Sequence, residues 1–206
     1  MCQNAPFYFG ALCKQNGIFR STDPDKSAYL CTQIQIEKSM EIINYSIDWA
    51  RGEVFSARVI ALISVFVLLC AAGFYFLGKT SMARAYWLPL ALSGVFLVVV
   101  AGGLYYANHP RITSFQEQYR ENPEQFVKNE LERTSKSDSD LTMIVFRILP
   151  VLVIACAVGA MFITKTHWRA WFIVLMMLGA FLMAVDSNTR ARNAEYHAML
   201  QKYLPD

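Results

Sequence analysis

The stretch VIALISVFVLLCAAGFYFLG, residues 59–78, contains neither a charged side chain nor a proline. Wound as an α-helix with a rise of about 1.5 Å per residue, it is about 30 Å long, the thickness of a bilayer's hydrocarbon layer. A helix on the surface of a soluble core would carry polar residues on every turn. Residues 59–78 therefore place the chain among membrane proteins.

Outward from this run the pattern repeats. Lys79-Thr80-Ser81-Met82-Ala83-Arg84 makes a short basic turn, and residues 85–106 form a second uncharged run. Tyr86 and Trp87 at one end and Tyr105 and Tyr106 at the other match the aromatic belts of the membrane–water interfaces. Pro89 falls in the first turns, where a helix tolerates it. A third run covers 143–164, with Arg147 and Pro150 inside it. After Lys165-Thr166-His167 a fourth run covers 168–186 and ends on Asp186. The expected fold class is an all-α membrane protein with four transmembrane helices arranged as two tandem hairpins.

The remaining segments are polar or mixed. Residues 1–39 show no periodicity, and the regular pattern starts at Met40. We expect 1–39 to be a poorly ordered extension upstream of a natural start at Met40. Residues 40–58 read as an amphipathic helix lying at the interface. Ile43, Ile47, Ala50 and Val54 recur at helical spacing, and Glu41, Asp48, Arg51 and Glu53 supply the polar side. Within 107–142, Ser114-Phe115-Gln116-Glu117 fits a capping box, and Asn122-Pro123 places a cap before a first-position proline. These predict short helices at about 115–121 and 123–135, with a break at Ser137-Asp138-Ser139-Asp140. In the tail, 187–206, Tyr196, Met199, Leu200 and Tyr203 share one helical face. The domain boundaries are thus 1–39, 40–58, 59–106, 107–142, 143–186 and 187–206.

The two hairpins resemble each other. Arg84-Ala85-Tyr86 matches Arg169-Ala170-Trp171, and Gly94-Val95-Phe96-Leu97 matches Gly179-Ala180-Phe181-Leu182, both at a spacing of 85 residues. A duplicated two-span unit keeps its orientation and gives a parallel repeat. Most Lys and Arg lie on the side of the termini and central segment; the other side holds Lys79, Arg84, Lys165 and Arg169. The positive-inside rule then places both termini and residues 107–142 in the cytoplasm.

Composition narrows the chemistry further. Hydrophobic residues make up 55% and charged residues 17% of the chain, against about 25% charged in soluble domains. A net charge of +3 gives no basis for nucleic-acid binding. Of the five cysteines, Cys70 and Cys156 lie in apolar runs, while Cys2, Cys13 and Cys31 show no CxxC spacing. There is no HExxH, Walker A or GxGxxG pattern, so no catalytic, cofactor or metal residue is assigned. Ser93 has no histidine in any run to activate it and is expected to pack.

Arg147 and Asp186 form the candidate site. Arg147 stands 17 residues before Thr164 and Asp186 stands 17 after Arg169, so an antiparallel hairpin would put them at one depth, where pairing offsets the cost of burying charge. Small residues at Gly94, Ala155, Gly159, Ala180 and Ala184 are expected to let helix backbones approach closely.

From Met40 to about Tyr203 the chain resembles a group of small four-span bacterial membrane proteins with no known activity. The resemblance rests on Met40-Glu41-Ile42-Ile43-Asn44-Tyr45, Leu77-Gly78-Lys79-Thr80, Arg111-Ile112-Thr113-Ser114-Phe115 and Val185-Asp186-Ser187-Asn188. It implies a multi-pass protein of the bacterial inner membrane and supplies no reaction. Two functions fit these observations. One is a non-enzymatic interaction or accessory protein, with the bilayer, a membrane or cytoplasmic protein, or a second copy as partner. The other is a small oligomeric transporter or channel using Arg147 and Asp186.

Overall fold

The computed structural model describes residues 24–203, and the regular elements among them are all helical. Helix α1 is Pro24–Leu77, α2 is Ser81–Asn108, α3 is Arg111–Glu121 and α4 is Pro123–Met143. A π-helical turn, Ile144–Ile148, joins α4 to α5, Leu149–Phe162, and α6 is Thr166–Gln201. Four helical stretches are long and apolar enough to cross a membrane, and each overlaps one of the expected runs.

The expected interfacial helix is not a separate element. α1 is one helix of 54 residues, about 80 Å long. No proline lies between Pro24 and Leu77 to stop it, and its buried stripe continues without a break through Ala50, Val54, Ala57 and Ile60. Within residues 40–58, Ile42, Ile47, Trp49, Ala50, Val54 and Ala57 are buried against other helices of the chain. Pro24 to Ser39, expected to be poorly ordered, belong to the same helix; residues 1–23, with Cys2 and Cys13, lie outside the described residues.

Two other boundaries move. α3 begins at Arg111, and the Ser114 amide donates to Pro110 O at 3.1 Å, so Ser114 sits inside the first turn and does not cap it. Asn122 does cap α4, its Oδ1 accepting from the Gln125 amide at 3.1 Å with Pro123 next in line. The expected break at Ser137–Asp140 is absent. The Thr142 hydroxyl donates to Asp138 O at 2.7 Å and Arg190 Nε to Asp138 Oδ1 at 3.1 Å, so these polar residues are satisfied within and beside a helix. Pro150 is accommodated by the π turn, where the Leu149 amide reaches back to Ile144 O. Widening the ladder by one residue relieves the clash of a proline ring with the carbonyl four positions earlier.

In the apolar half α1 packs along α2, and α6 lies against both α2 and α5. Ile60, Leu97 and Ala101 form the centre, with Leu178, Phe181, Leu182 and Val185 packed on it. At the other end, the first part of α1, with α3, α4 and the last part of α6, forms a helical domain around Ile42, Trp49, Phe115, Phe126, Tyr196 and Leu200.

Candidate functional site

The helical domain encloses a polar network. Its first strut is the buried stripe of α1, which runs through Ile42, Ser46, Ala50, Glu53 and Ala57. Spacings of three and four keep these residues on one face. α4 contributes Phe126, Val127, Glu130 and Thr134, and α6 contributes Asn193, Tyr196 and Leu200. Five members of these stripes, Ser46, Glu53, Glu130, Thr134 and Asn193, are polar and buried.

Glu130 is the hub. Arg133 Nε donates to Oε1 at 3.0 Å and Nη2 to Oε2 at 2.6 Å, a two-point grip on one carboxylate. The Tyr196 hydroxyl stands 3.1 Å from Glu130 Oε2 and 2.9 Å from Ser46 Oγ, and shares its one proton between these acceptors. The Tyr196 ring stacks on Trp49 at 5.2 Å and on Tyr45 at 6.2 Å, while the Arg133 guanidinium lies 4.3 Å over the Trp49 ring. Burial, then the neighbouring Glu130 charge, push the Tyr196 hydroxyl well above the ordinary tyrosine range. The phenol is a hydrogen-bonding post and stays neutral.

A second pair lies closer to the apolar half. Arg192 Nη2 donates to Glu53 Oε1 at 2.9 Å and to Ser56 Oγ at 2.9 Å. Burial raises the Glu53 carboxyl above its ordinary range, against the opposing pull of Arg192. Arg111, tied to Asn108 Oδ1 at 3.1 Å, is lowered by burial first and by the Arg133 charge second. Asn193 Nδ2 donates to Thr134 O at 2.9 Å and fastens α6 to α4. Among the described residues three buried atoms of the network have no hydrogen-bond partner: Trp49 Nε1, Arg192 Nε and Asn193 Oδ1. At the rim Tyr203 donates to Glu41 at 2.7 Å, and Arg190 holds Asp138 while lying 4.9 Å over Phe146.

Arg147 and Asp186, expected to pair directly or through one water, form no direct ion pair among the described residues. Arg147 is exposed, Asp186 is half-buried, and among the described residues neither takes part in an ion pair of 4.0 Å or less. Equal distance from the turn does not set the direction in which each helix turns its side chain, and Arg147 lies within the π turn, where the ladder departs from α-helical register. The small residues divide as well. A Cβ on Gly94 would lie 2.7 Å from Leu68, and one on Gly159 would lie 2.9 Å from Phe172. Ala155, Ala180 and Ala184 face outward; it is Gly179, 2.8 Å from Val153 by the same measure, that lets α6 approach α5.

The network itself was missed in the sequence. Helical spacing puts Glu53 on the polar side of an amphipathic helix, yet it is 2% exposed. Its signal was the small and polar stripe Ser46, Ala50, Glu53, Ala57, which a search for large apolar residues passes over. Glu130 and Arg133, one turn apart, carried the other half.

Against this geometry, comparison with protein-family models, curated proteins and solved structures finds no match.

Proposed function

We propose that this chain is a non-enzymatic interaction or accessory protein of the bacterial inner membrane, with both termini and the helical domain in the cytoplasm. We read its two hairpins as tandem copies of one unit. The observation that supports a platform for partners is the continuity of α1 and α6. Each runs from an apolar span into the helical domain without a break, and the domain is cross-tied by Glu130, Tyr196, Arg133, Glu53 and Arg192. A rigid connection of this kind holds the domain's outer faces in fixed register with the spans. The network is packed around its own aromatic rings, which suits support better than turnover of a substrate.

The exposed Arg147, without an ion pair among the described residues, speaks against a conduction path through Arg147 and Asp186. The test is purification of the full chain from gently solubilised membranes, followed by identification of stoichiometric companions after cross-linking. A specific companion protein, or a defined homo-oligomer, is expected. A chain that remains monomeric and alone across mild detergents overturns the reading.

A further inference from the structure

The end of the molecule remote from the helical domain has a different character. Lys79, Ser81, Arg84 and Ala85 from the first turn, and Thr166 and His167 from the second, line one open cavity of about 570 Å³. Segments more than eighty positions apart in sequence thus present their basic side chains to one space. Among the described residues no carboxylate pairs with the charge there. Residues 54–116 and 141–185 contain no Asp or Glu, so the spans and turns bring no carboxylate to this end. Among the described residues none of Lys79, Arg84, Lys165 and Arg169 forms an ion pair. Arg84 uses Nε on Gly78 O at 3.0 Å, which fixes the guanidinium at the cavity and leaves its remaining donors free for a ligand.

Clustered cations without counter-charge repel one another, and an anion among them removes that cost. The donor set suits a tetrahedral oxyanion: an ammonium, a guanidinium edge, an imidazole and the hydroxyls of Ser81 and Thr166. The volume exceeds that of a bare ion and accommodates an ester substituent.

We propose that this cavity binds a phosphate group, either the headgroup phosphate of an anionic lipid in the adjoining leaflet or a soluble phosphate.

The full chain in zwitterionic detergent is the sample. One arm adds phosphatidylglycerol, with phosphatidylcholine as reference, and counts bound lipid by native mass spectrometry. The other adds inorganic phosphate and reads heat or thermal shift. Lys79→Gln with His167→Gln removes the ammonium and the imidazole from the donor set and spares Arg84, whose contact holds the turn. Loss of two such contacts weakens binding by roughly tenfold or more. Lys79→Arg with His167→Arg keeps a hydrogen-bond donor at both positions and should keep binding. Arg147→Gln, an exposed cation elsewhere on the chain, should leave it unchanged. A drop confined to the lipid arm identifies a headgroup site, and a drop in the phosphate arm identifies a soluble ligand. Equal binding by the natural chain and the Gln pair in both arms, or equal loss in the Arg147→Gln control, overturns the proposal. Should the Gln pair misfold by circular dichroism, failure of the Arg pair to bind overturns it as well.

Discussion

Tyr196 shows how one side chain can hold three helices. Its ring lies against Tyr45 and Trp49 of α1, and its hydroxyl meets Ser46 on α1 and Glu130 on α4, from a position on α6. Replacing it by Phe keeps the stack and removes a bond to a buried carboxylate. We expect Tyr196→Phe to destabilise the helical domain by about 1–3 kcal/mol, read as a lower thermal midpoint in mild detergent; an unchanged midpoint would show that Glu130 is satisfied by Arg133 alone. Glu53 gives a pH signature. Burial raises its carboxyl in the folded chain. As pH rises through the ordinary carboxylate range the unfolded chain releases this proton first, so the folded chain binds more protons there. Glu53 then contributes stability that is present below its ordinary value and is lost as pH rises through the raised folded value. Glu53→Gln should remove that part of the slope from a series of melts at increasing pH, and a slope identical to that of the natural chain would contradict the assignment. Removing the other partner is harsher: Arg192→Ala leaves a buried carboxylate alone, at a cost of about 3 kcal/mol.

At the scale of the helix, four helices long and apolar enough to cross a membrane could be read in the sequence because runs of about twenty residues with at most one charge admit few alternatives. Which face of each span turns inward could not. A helix that is apolar all round carries no polar side to orient it, so Ala180 and Ala184 looked as suitable for contact as Gly179. Capping was legible where the chemistry was strict, at Asn122-Pro123, and not at Ser114, where Pro110 starts the helix a turn earlier. The same reasoning separates two sets of substitutions. Gly94→Ala puts a methyl 2.7 Å from Leu68 and should cost about 1–3 kcal/mol. Ala180→Leu and Ala184→Leu point outward and should change stability by less than about 0.5 kcal/mol. Thermal unfolding of the three variants in one detergent checks the contrast. A large loss at Ala180 or Ala184 would show that this face meets a second chain or a partner.

Across the whole molecule the charges are divided by end. Among the described residues the helical domain holds the buried carboxylates and most of the cations, whereas the opposite end has Lys79, Arg84, Lys165 and Arg169 with no carboxylate. The fold makes one demand on topology whichever way the chain inserts. Residues near Gln125 and the end of α6 belong to one packed domain, so Phe126 and Leu200 meet in one core and must lie on one side of the bilayer. Reporter fusions after residue 125 and at the C-terminus should therefore agree. The direction rests on counting cations, in which Arg51, Arg58, Arg111, Arg120, Lys128, Arg133, Lys136, Arg190, Arg192 and Lys202 outnumber the four of the far end. Several of these, such as Arg133 and Arg192, are neutralised by Glu130 and Glu53 in the folded chain, but orientation is set during insertion, when acidic residues count little. Both fusions should then report cytoplasm, with fluorescent protein active and alkaline phosphatase inactive. Phosphatase activity at both sites would invert the protein and put the basic cavity against the cytoplasmic leaflet, leaving the fold intact. Activity at one site alone would contradict the fold itself, because it would split a core in which α1, α3, α4 and α6 are packed together.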